Sequence, residues 1–428
     1  MKNINVALLG CGTVGTGVYQ LLDMNRKKFR HLLPGKDILV KGILVADLHK
    51  ERPGIPKELL TNQAEELLTD PDIQVVIEVM GGVGAARDYI LKALRNGKDV
   101  VTANKDLMAT AGEEILTVAN EMNRMVLFEA SVAGAIPVIS TVKNDLSSNQ
   151  ITKVMGIING TTNFILTKMF KEGRSLGDVL QEAQALGYAE ADPTSDIMGL
   201  DAARKIAILA STAFNRRVVL DDVYVEGITG IQVEDIAYAR QLGSTIKLLG
   251  IASMTEEAIE VRVHPTLLSM NHPLAKVDDV YNAIYLEGNA FGDLTLVGKG
   301  AGGLPTASAV VADLLSILKN NESRGPVENC TCYLDTPIRK IQETSTHIYI
   351  RMVVADRTGV LAQIAEAFAR NNVSIDSVIQ RKLENGRAEL VILTDKVLNE
   401  DMERAKDEIS SLEVVMEIKS VLRSEKED

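Results

Sequence analysis

Short runs of apolar residues alternate with helical patterns over the first part of the chain. Because uninterrupted Val, Ile and Leu runs are typical of strands buried on both faces, this pattern predicts a parallel sheet with crossover helices. The predicted strands are Ile4–Leu9, Ile38–Val45, Val75–Val79, Val100–Val101 and Val126–Phe128.

Near Ile151–Ile158 the pattern changes to longer helices mixed with β-rich segments. Apolar spacing predicts helices at Leu176–Leu186 and Ala202–Phe214. Composition predicts strands at Ala258–Val263 and Ala283–Leu286. This mixture is typical of an α+β domain.

A glycine cluster, Gly298 to Gly303, precedes a strong helical pattern at Ala307–Leu318. Pro305 suits the first turn of a helix, and the glycines allow two backbones to approach closely. We expect the cluster to return the chain to the N-terminal domain, with the helix packed beside the first helices. A flexible loop between domains is the alternative.

The C-terminal part has the order strand, helix, strand, strand, helix, strand. It follows the polar stretch Asn320–Asn329, and its elements are predicted at Ile348–Val354, Val360–Asn371, Val373–Gln380, Ala388–Thr394, Asn399–Ile409 and Val414–Val421. This βαββαβ order predicts a small ferredoxin-like domain.

Charge and composition exclude several classes of partner. The net charge of -12 and the absence of Trp argue against a nucleic-acid surface, which needs basic and stacking groups. No apolar run is long enough to span a bilayer, and the glycine-broken N-terminal run predicts a strand rather than a signal peptide. Cys11, Cys330 and Cys332 are too few for a disulfide framework, so we expect a cytoplasmic protein.

The first predicted strand leads into a dinucleotide motif, Gly10-Cys11-Gly12-Thr13-Val14-Gly15. Gly10 permits the tight turn, Gly12 lets the backbone approach a pyrophosphate, and Gly15 allows helix and strand to pack closely. The helix that follows would present amide donors to the phosphates. A glycine-rich turn without a ligand is the alternative.

The second predicted strand is followed by Asp47, which could accept hydrogen bonds from ribose hydroxyls and favour NAD. Lys50 and Arg52 could instead meet the 2′-phosphate of NADP, so both cofactors stay open. Lys105 follows the strand at Val100–Val101, where ligands of parallel sheets bind. We expect it to contact cofactor or substrate, and a solvated surface lysine is the alternative.

These patterns predict an α/β protein with three domains. A Rossmann-type nucleotide domain with a parallel sheet comprises residues 1–134 and 301–322. An α+β substrate-binding, catalytic and dimerisation domain comprises residues 135–300. A linker over residues 323–347 leads to a ferredoxin-like domain over residues 348–425.

Charged residues are concentrated between Ala183 and Lys205. A helix that starts near Gly199 places Asp201 and Lys205 four residues apart on one face, where a surface ion pair alone would explain them. The nearby carboxylates, which are Glu190, Asp192 and Asp196, could hold the ammonium group of an amino-acid substrate.

This segment resembles the signature of homoserine dehydrogenases, with Gly187, Asp192-Pro193, Asp196, Gly199, Asp201 and Lys205 at the signature positions. The stretch Gly156–Ile165 resembles another block of that family, and the order of motifs also agrees. The resemblance covers about residues 1 to 320, and the C-terminal part resembles an ACT domain.

The resemblance implies reversible oxidation of L-homoserine to L-aspartate 4-semialdehyde with NAD or NADP, in threonine and methionine biosynthesis. It implies that Lys205 is the catalytic acid and base and that Asp201 holds the substrate. Glu190 would bind the substrate amino group, and Asp196 would lie in the same pocket. Lys105 matches a second lysine of the active site.

The resemblance also implies binding sites for the cofactor and for a monovalent cation, Na or K. The cofactor would contact Gly187, Gly302 and Gly303. The cation would be held, largely through backbone carbonyls, by the loop with Glu129, Val132, Gly134 and Ile136. Scattered histidines provide no zinc site, so zinc-dependent alcohol oxidation is not expected.

ACT domains commonly bind amino acids and pair with one another, so we expect an amino-acid effector, with threonine as the hypothesis, and a homodimer or homotetramer. The 3-phosphoglycerate dehydrogenase type also joins a Rossmann fold to an ACT domain. Its nucleotide motif lies mid-chain, however, and it needs a catalytic histidine. A non-enzymatic sensor is a further alternative, and Lys205, Asp201 and Glu190 argue against it.

Overall fold

The computed structural model describes residues 2–320 and 329–426. The predicted linker over 323–347 lies partly outside the described residues, as do residues 321 and 322 of the predicted nucleotide domain. The chain divides into two compact units. The first unit comprises Met1–Ile151, Ala207–Leu220 and Asn282–Asp335, and the second comprises Thr152–Ile206, Asp221–Tyr281 and Thr336–Asp428.

The first unit begins with a parallel sheet of six strands, in the order β3-β2-β1-β4-β5-β6 of a doubly wound nucleotide-binding fold. The strands are β1 (Lys2–Leu9), β2 (Lys36–Leu44), β3 (Leu60–Thr61), β4 (Ile73–Glu78), β5 (Asp99–Thr102) and β6 (Val126–Leu127). The helices are α1 (Thr13–Met24), α2 (Arg26–Leu32), α3 (Ala64–Thr69), α4 (Gly84–Arg95), α5 (Lys105–Glu121) and α6 (Val138–Ser140). The predicted parallel sheet is confirmed, and only the two-residue β3 was missed.

The second unit begins with helices and antiparallel strands. Its strands are β7 (Ile151–Ile157), β8 (Tyr224–Val225), β9 (Ser244–Met254) and β10 (Ile259–Ser269). Its helices are α7 (Gly160–Glu172), α8 (Leu176–Ala185), α9 (Thr194–Ile197) and α11 (Val233–Gln241), and α10 (Leu200–Ala213) belongs to this unit up to Ile206 and to the first unit from Ala207. Strand β9 pairs antiparallel with both β7 and β10, and the short β8 pairs parallel with β10.

The chain then completes the first unit with a hairpin and a long helix, β11 (Tyr281–Gly288), β12 (Gly292–Lys299) and α12 (Gly303–Asn320). The start of α12 lies against α1, because a Cβ added to Gly17 would lie 2.6 Å from the Gly303 oxygen. Apolar side chains of α12, among them Val310 and Leu314, belong to the same core as Val6 of β1. The expected packing of this helix beside α1 is confirmed.

The C-terminal part of the second unit has the predicted βαββαβ order. Its strands are β13 (Ser345–Ala355), β14 (Ile375–Lys382), β15 (Arg387–Thr394), β16 (Val397–Leu398) and β17 (Val415–Glu425), and its helices are α13 (Val360–Arg370) and α14 (Asn399–Ser410). Strand β17 also pairs parallel with β10, with Thr266 opposite Arg423. The ferredoxin-like module is therefore part of a larger mixed sheet, in which β7, β9, β10, β17, β13, β15 and β14 are successive neighbours. None of the described helices is long and apolar enough to cross a membrane.

The two faces of the C-terminal sheet have different chemistry. Alternate residues of a strand point to opposite faces, and Ile348, Ile350 and Met352 belong to the core that includes α13 and α14. On the other face the Arg351 guanidinium donates to Asp235 Oδ1 of α11 at 2.7 Å and to Glu389 Oε1 of β15 at 2.7 Å. All three side chains are buried. A buried charge must be paired, so this network determines how α11 packs on the sheet.

Replacing Arg351 with Met should therefore destabilise the protein strongly, because Asp235 and Glu389 would keep buried charges without their cation. We expect a loss of about 3–5 kcal/mol in the free energy of unfolding, measured by urea denaturation. Arg370→Met is the control, since Arg370 pairs with Glu366 and Glu408 at the surface, and it should lose less than about 1 kcal/mol. Equal losses in the two variants would contradict the structural role of Arg351.

Candidate active site

Asn159 lies in the second unit where β7 ends and α7 begins. Its side-chain oxygen caps α7 by accepting a hydrogen bond from the Thr162 amide at 2.9 Å. Its side-chain nitrogen donates to Asp196 Oδ1 at 2.7 Å and to Asp201 Oδ2 at 2.9 Å. One amide thus joins a strand end, a helix start and two of the predicted site carboxylates.

Lys205 and Asp201 form a partly buried ion pair within α10. The Lys205 Nζ donates to Asp201 Oδ2 at 2.7 Å and to the Ile158 carbonyl oxygen at 2.8 Å. The two side chains are only 13% and 8% exposed, so the alternative of a solvated surface pair does not describe them. The backbone oxygen of Ile158 holds the lysine against the end of β7.

Asp196 belongs to the short helix α9 and shares Asn159 with Asp201. Burial raises the pKa of the Asp196 carboxyl, the hydrogen bond from Asn159 lowers it, and the Asp201 charge raises it again. Asp192 has a different role, because its carboxylate accepts a hydrogen bond from the Thr194 amide at 3.1 Å. This hydrogen bond shapes the turn that leads into α9.

Glu190 and Gly187 lie on the exposed segment between α8 and α9. The structure does not bring Glu190 into the cluster around Asn159, and Gln184 donates to its backbone oxygen at 3.1 Å. Gly187 has a φ of +75°, which allows the chain to turn after α8. Thr161 holds the same segment by donating to the Tyr188 carbonyl oxygen at 2.6 Å.

The dinucleotide motif lies in the first unit, between β1 and α1. Gly10 has a φ of +104°, and its amide donates to the Leu44 carbonyl oxygen at 3.0 Å. Helix α1 begins at Thr13 with Gly12 as its N-cap, and no side chain in the described part of the chain caps it. The first amides of α1 are therefore placed to bind an anion.

The glycines of this motif serve different purposes. A Cβ added to Gly15 would lie 2.2 Å from the Gly10 carbonyl oxygen, whereas one added to Gly12 would meet none of the described atoms within 4 Å. Gly303 approaches the same turn, with its virtual Cβ 3.0 Å from the Thr13 oxygen. Val14 packs against the core of this unit, and Gly302 has a φ of +121°.

The loop that follows β2 holds Asp47 and Lys50 at the surface. Asp47 Oδ1 accepts a hydrogen bond from the His49 amide at 2.8 Å, and this bond lowers the pKa of the carboxyl. Arg52 donates to the carbonyl oxygens of Asp47 and Lys50, each at 2.9 Å. One carboxylate and two cationic side chains thus share this loop.

Lys105 is the first residue of α5, next to the helix cap Asn104. The Asn104 side chain accepts from the Leu107 amide at 3.1 Å and donates to the Gly82 oxygen at 2.6 Å. Thr102 donates to the buried Glu78 at 2.6 Å, and burial raises the pKa of that carboxyl. Lys105 and the Lys205 cluster belong to different units of the chain.

The predicted cation loop surrounds a buried carboxylate. The two oxygens of Glu129 accept hydrogen bonds from the Ile139 and Ser140 amides at 2.8 and 2.7 Å, at the start of α6. Val132 and Ile136 are buried, and Gly134 has a φ of +55°, with its virtual Cβ 2.5 Å from the Gly300 oxygen. No group of three or more described His, Cys, Asp or Glu residues could hold a metal ion.

The structure also shows residues that sequence analysis missed. Asn159 lies within the stretch Gly156–Ile165, but the sequence pattern assigned no role to it, although an Asn before a helix is a common N-cap. Glu78 was missed although it ends an apolar strand, where an acid is unusual. Asp196, Asp201 and Lys205 are brought together, whereas the exposed Glu190 lies outside their hydrogen bonds.

The contrast between Gly12 and Gly15 gives a test of the cofactor site. Gly12→Ala should leave the melting temperature nearly unchanged but weaken cofactor binding at least about tenfold, because the new methyl group occupies the phosphate approach. Gly15→Ala should instead lower the melting temperature, because its Cβ meets backbone. Calorimetric titration with NADPH and thermal unfolding distinguish the two. Unchanged NADPH affinity in Gly12→Ala would contradict this assignment.

Three protein-family models match successive parts of the chain. The homoserine dehydrogenase NAD-binding domain model matches residues 10–129, the homoserine dehydrogenase model residues 137–315, and the ACT domain model residues 348–414. The Bacillus subtilis homoserine dehydrogenase is 46% identical over 99% of both chains.

Solved structures give the same result. A homoserine dehydrogenase from Thiobacillus denitrificans has a TM-score of 0.94 at 41% identity and covers 99% of both chains. A hyperthermophilic archaeal homoserine dehydrogenase in complex with NADPH has a TM-score of 0.62 at 27% identity, over 74% of this chain and 98% of that one. The chain therefore belongs to the homoserine dehydrogenase family of oxidoreductases, and it has an NAD-binding domain and a C-terminal ACT domain.

Proposed function

We propose that the chain interconverts L-homoserine and L-aspartate 4-semialdehyde with Lys205 as proton donor and acceptor, in threonine and methionine biosynthesis. The observation that carries this assignment is the clamp on Lys205, whose nitrogen donates to Asp201 and to the Ile158 oxygen. An ammonium group has three hydrogens. The third is left for the oxygen of the substrate.

The chemistry requires a hydride and a proton to leave the alcohol. The turn from Gly10 to Gly15 and the start of α1 would hold a nicotinamide cofactor, which would supply the acceptor for the hydride of the hydroxyl-bearing carbon. In oxidation, a neutral Lys205 accepts the hydroxyl proton. In reduction, the Lys205 ammonium returns a proton to the aldehyde oxygen. Asp201 and Asn159 keep the lysine and the substrate in a defined orientation, which lowers the entropic cost of reaching the transition state.

Acidic residues support a substrate with an ammonium group. Asp196 lies beside Asp201 in the Asn159 cluster, and burial disfavours its charged form unless a cation compensates it. We propose that the amino group of homoserine supplies that cation and that Glu190, on the adjacent segment, adds a second carboxylate. The exposed position of Glu190 is compatible with a segment that orders around the substrate.

Cofactor choice depends on the loop after β2. We propose that the chain uses NADP, with or without NAD, because Lys50 and Arg52 stand beside Asp47 and an archaeal homoserine dehydrogenase of the same fold binds NADPH. Lys105 and the glycines at 10, 12, 15, 187, 302 and 303 would contact the cofactor.

A monovalent cation is proposed for the loop at Glu129. Burial raises the pKa of Glu129, and it raises the pKa of the neighbouring Asp313 to about 8. Asp313 accepts a hydrogen bond from the Glu129 backbone amide at 2.9 Å, so its carboxyl lies against the backbone of Glu129. A cation held by the carbonyls of Val132, Gly134 and Ile136 would lower the cost of this buried negative charge.

Self-association is proposed through the hairpin of the first unit. Strand β12 lies at an edge of its sheet, and Val297 is 56% exposed on it. Exposed apolar edge strands of this kind pair with other chains. This observation supports the expected homodimer or homotetramer.

We propose that an amino acid bound at the ACT module regulates the site, and Arg423 of β17 supplies a physical connection. Its Nη1 donates to Glu226 Oε2 at 2.9 Å, and its guanidinium lies 4.6 Å from the centre of the Tyr224 ring. Its Nε donates to Asn399 of α14 at 3.1 Å. Arg423 thus joins the ACT module to residues 224–228.

Residues 224–228 in turn hold the substrate segment. The Ile228 amide donates to the Ile197 carbonyl oxygen at 2.8 Å, directly after Asp196. Gly227 packs on the same backbone, since an added Cβ would lie 2.3 Å from the Ile197 oxygen. A shift of β17 would therefore reach Asp196 through a single chain segment of the second unit.

Replacement of Lys205 tests the catalytic assignment. The assay uses L-homoserine with either NAD or NADP, in buffers that contain sodium, potassium or a bulky organic cation. Under these conditions Lys205→Met should lower kcat by about 10²–10⁴-fold. Lys205→Arg should be similarly slow, because arginine keeps the charge but does not release its proton. Lys171→Met, which removes a surface pair with Asp278, is the control and should retain activity. Full activity in Lys205→Met would refute the role of Lys205, and an inactive wild type would refute the reaction itself.

Replacement of Arg423 tests the regulatory assignment. L-threonine should raise the KM for homoserine in the wild type by at least about fivefold, which corresponds to the usual range of coupling energies. In Arg423→Met this factor should fall below about twofold. The control is Lys419→Met on the same strand, where Lys419 pairs with Glu417. Wild-type kinetics unaffected by any amino acid would refute regulation, whereas undiminished threonine inhibition in Arg423→Met would refute this route.

A further inference from the structure

Two cysteines that the proposed function does not use lie together in the first unit. Cys330 and Cys332, both half-buried, line a pocket with Met108, Phe128, Lys143 and Arg217, which we name the thiol pocket. The chain enters it at the buried Asn329, whose side chain donates to the Arg124 oxygen at 2.8 Å and accepts from the Val126 amide at 2.8 Å. The position of the cysteines is therefore determined by backbone contacts.

The thiol pocket stabilises a negative sulfur at Cys330. The Arg217 Nη2 donates to Cys330 Sγ at 3.4 Å. The pKa of Cys330 is lowered to about 5, chiefly by a hydrogen bond from the Cys332 thiol and also by the charges of Arg217 and Lys143, against the opposing effect of burial. The pKa of Cys332 is raised by the same hydrogen bond and by burial. These shifts favour a thiolate at Cys330 and a protonated thiol at Cys332.

This arrangement has the two parts that a redox-active pair requires. A thiolate is the attacking group in thiol–disulfide exchange, and a second thiol nearby resolves the mixed disulfide. The Cys332 hydrogen has a second acceptor in the Ser211 carbonyl oxygen, 3.7 Å from its sulfur. The Cys11 sulfur, in contrast, lies 3.8 Å from the hydroxyl oxygen of Thr16, and Cys11 provides an internal reference.

We propose that Cys330 and Cys332 form a redox-active dithiol that low-molecular-weight disulfides convert to an intrachain disulfide. The Cys330 thiolate attacks one sulfur of the small disulfide, forms a mixed disulfide and releases one small thiolate. Cys332 then loses its proton and attacks Cys330 Sγ, so that the second small thiolate leaves. Two electrons pass from the cysteine pair to the small disulfide, which is reduced to two thiols.

The pH dependence of alkylation tests the state of Cys330. A low-pKa thiolate is intrinsically less nucleophilic, so the shape of the profile is more informative than the rate. From pH 8 to pH 6 the rate of an ordinary thiol with pKa about 8.5 should fall by roughly fifty- to a hundredfold, whereas that of Cys330 should change by less than about twofold. Iodoacetamide labelling is read by mass spectrometry on the tryptic peptides 325–339 and 3–26, which separate the pair from Cys11.

Variants of the same chain supply the controls for this experiment. Arg217→Met should move the midpoint of the Cys330 profile to higher pH, because it removes the guanidinium that donates to Cys330 Sγ. Arg216→Met should leave the profile unchanged. Circular dichroism and NADPH binding confirm that each variant is folded. A wild-type Cys330 profile with its midpoint near that of an ordinary thiol would overturn the proposal.

Oxidation of the folded enzyme tests the second step. After incubation with glutathione disulfide, peptide 325–339 should lose the mass of two hydrogen atoms, and a reductant should restore it. Cys332→Ser should instead retain one glutathione on Cys330, whereas Cys330→Ser should react far more slowly. Absence of the intrachain disulfide in the wild type, or equal reaction of both single variants, would refute a dithiol in which Cys330 attacks and Cys332 resolves.

Discussion

The cluster of Asn159, Asp196, Asp201 and Lys205 depends on one buried negative charge, the carboxylate of Asp201. A carboxylate that is removed from water is strongly destabilising unless cations and hydrogen bonds compensate it. Here Lys205 and Asn159 provide that compensation on the same oxygen. Because Asn159 also caps α7 and Lys205 also binds the end of β7, the charge cannot be satisfied unless the strand and both helices meet correctly. The same contacts therefore compensate the buried charge and fix the orientation of Lys205.

The ACT module is built into the second unit by similar means. A domain attached by a linker alone would move independently of the rest of the chain. Here β17 pairs with β10, and Arg351 and Arg423 reach from the module to Asp235 and Glu226. Each guanidinium is nearly buried. Moving it would either expose the ion pair to water or leave a carboxylate without its cation. Such contacts have few alternative arrangements, and a change at the module would be transmitted as a displacement of whole strands.

The sequence predicted the elements whose local pattern agrees with their environment. Apolar runs predicted every longer strand of the parallel sheet, and the βαββαβ order of the C-terminal part is confirmed, with bounds that differ by up to four residues and with the short β16 in addition. Helix α7 was not predicted, because Thr161, Thr162 and Asn163 are poor helix formers; the Asn159 cap and burial of the helix stabilise it instead. Arg351 interrupts an apolar strand, and its partners Asp235 and Glu389 lie far away in sequence. Such long-range pairings leave no periodic signal.

The nucleotide motif shows why local patterns give only part of a site. Gly15 is required by the fold, since a Cβ added there would meet the Gly10 oxygen. Gly17 is required because α12, which lies far along the chain, places Gly303 beside it. Gly12 has no such reason within the described residues, because a Cβ there would enter open space. Gly12 precedes a helix whose first amides are not capped by any described side chain. Because packing does not require a glycine there, a ligand that approaches the backbone explains it. Open space beside a glycine is thus the stronger indication of the cofactor.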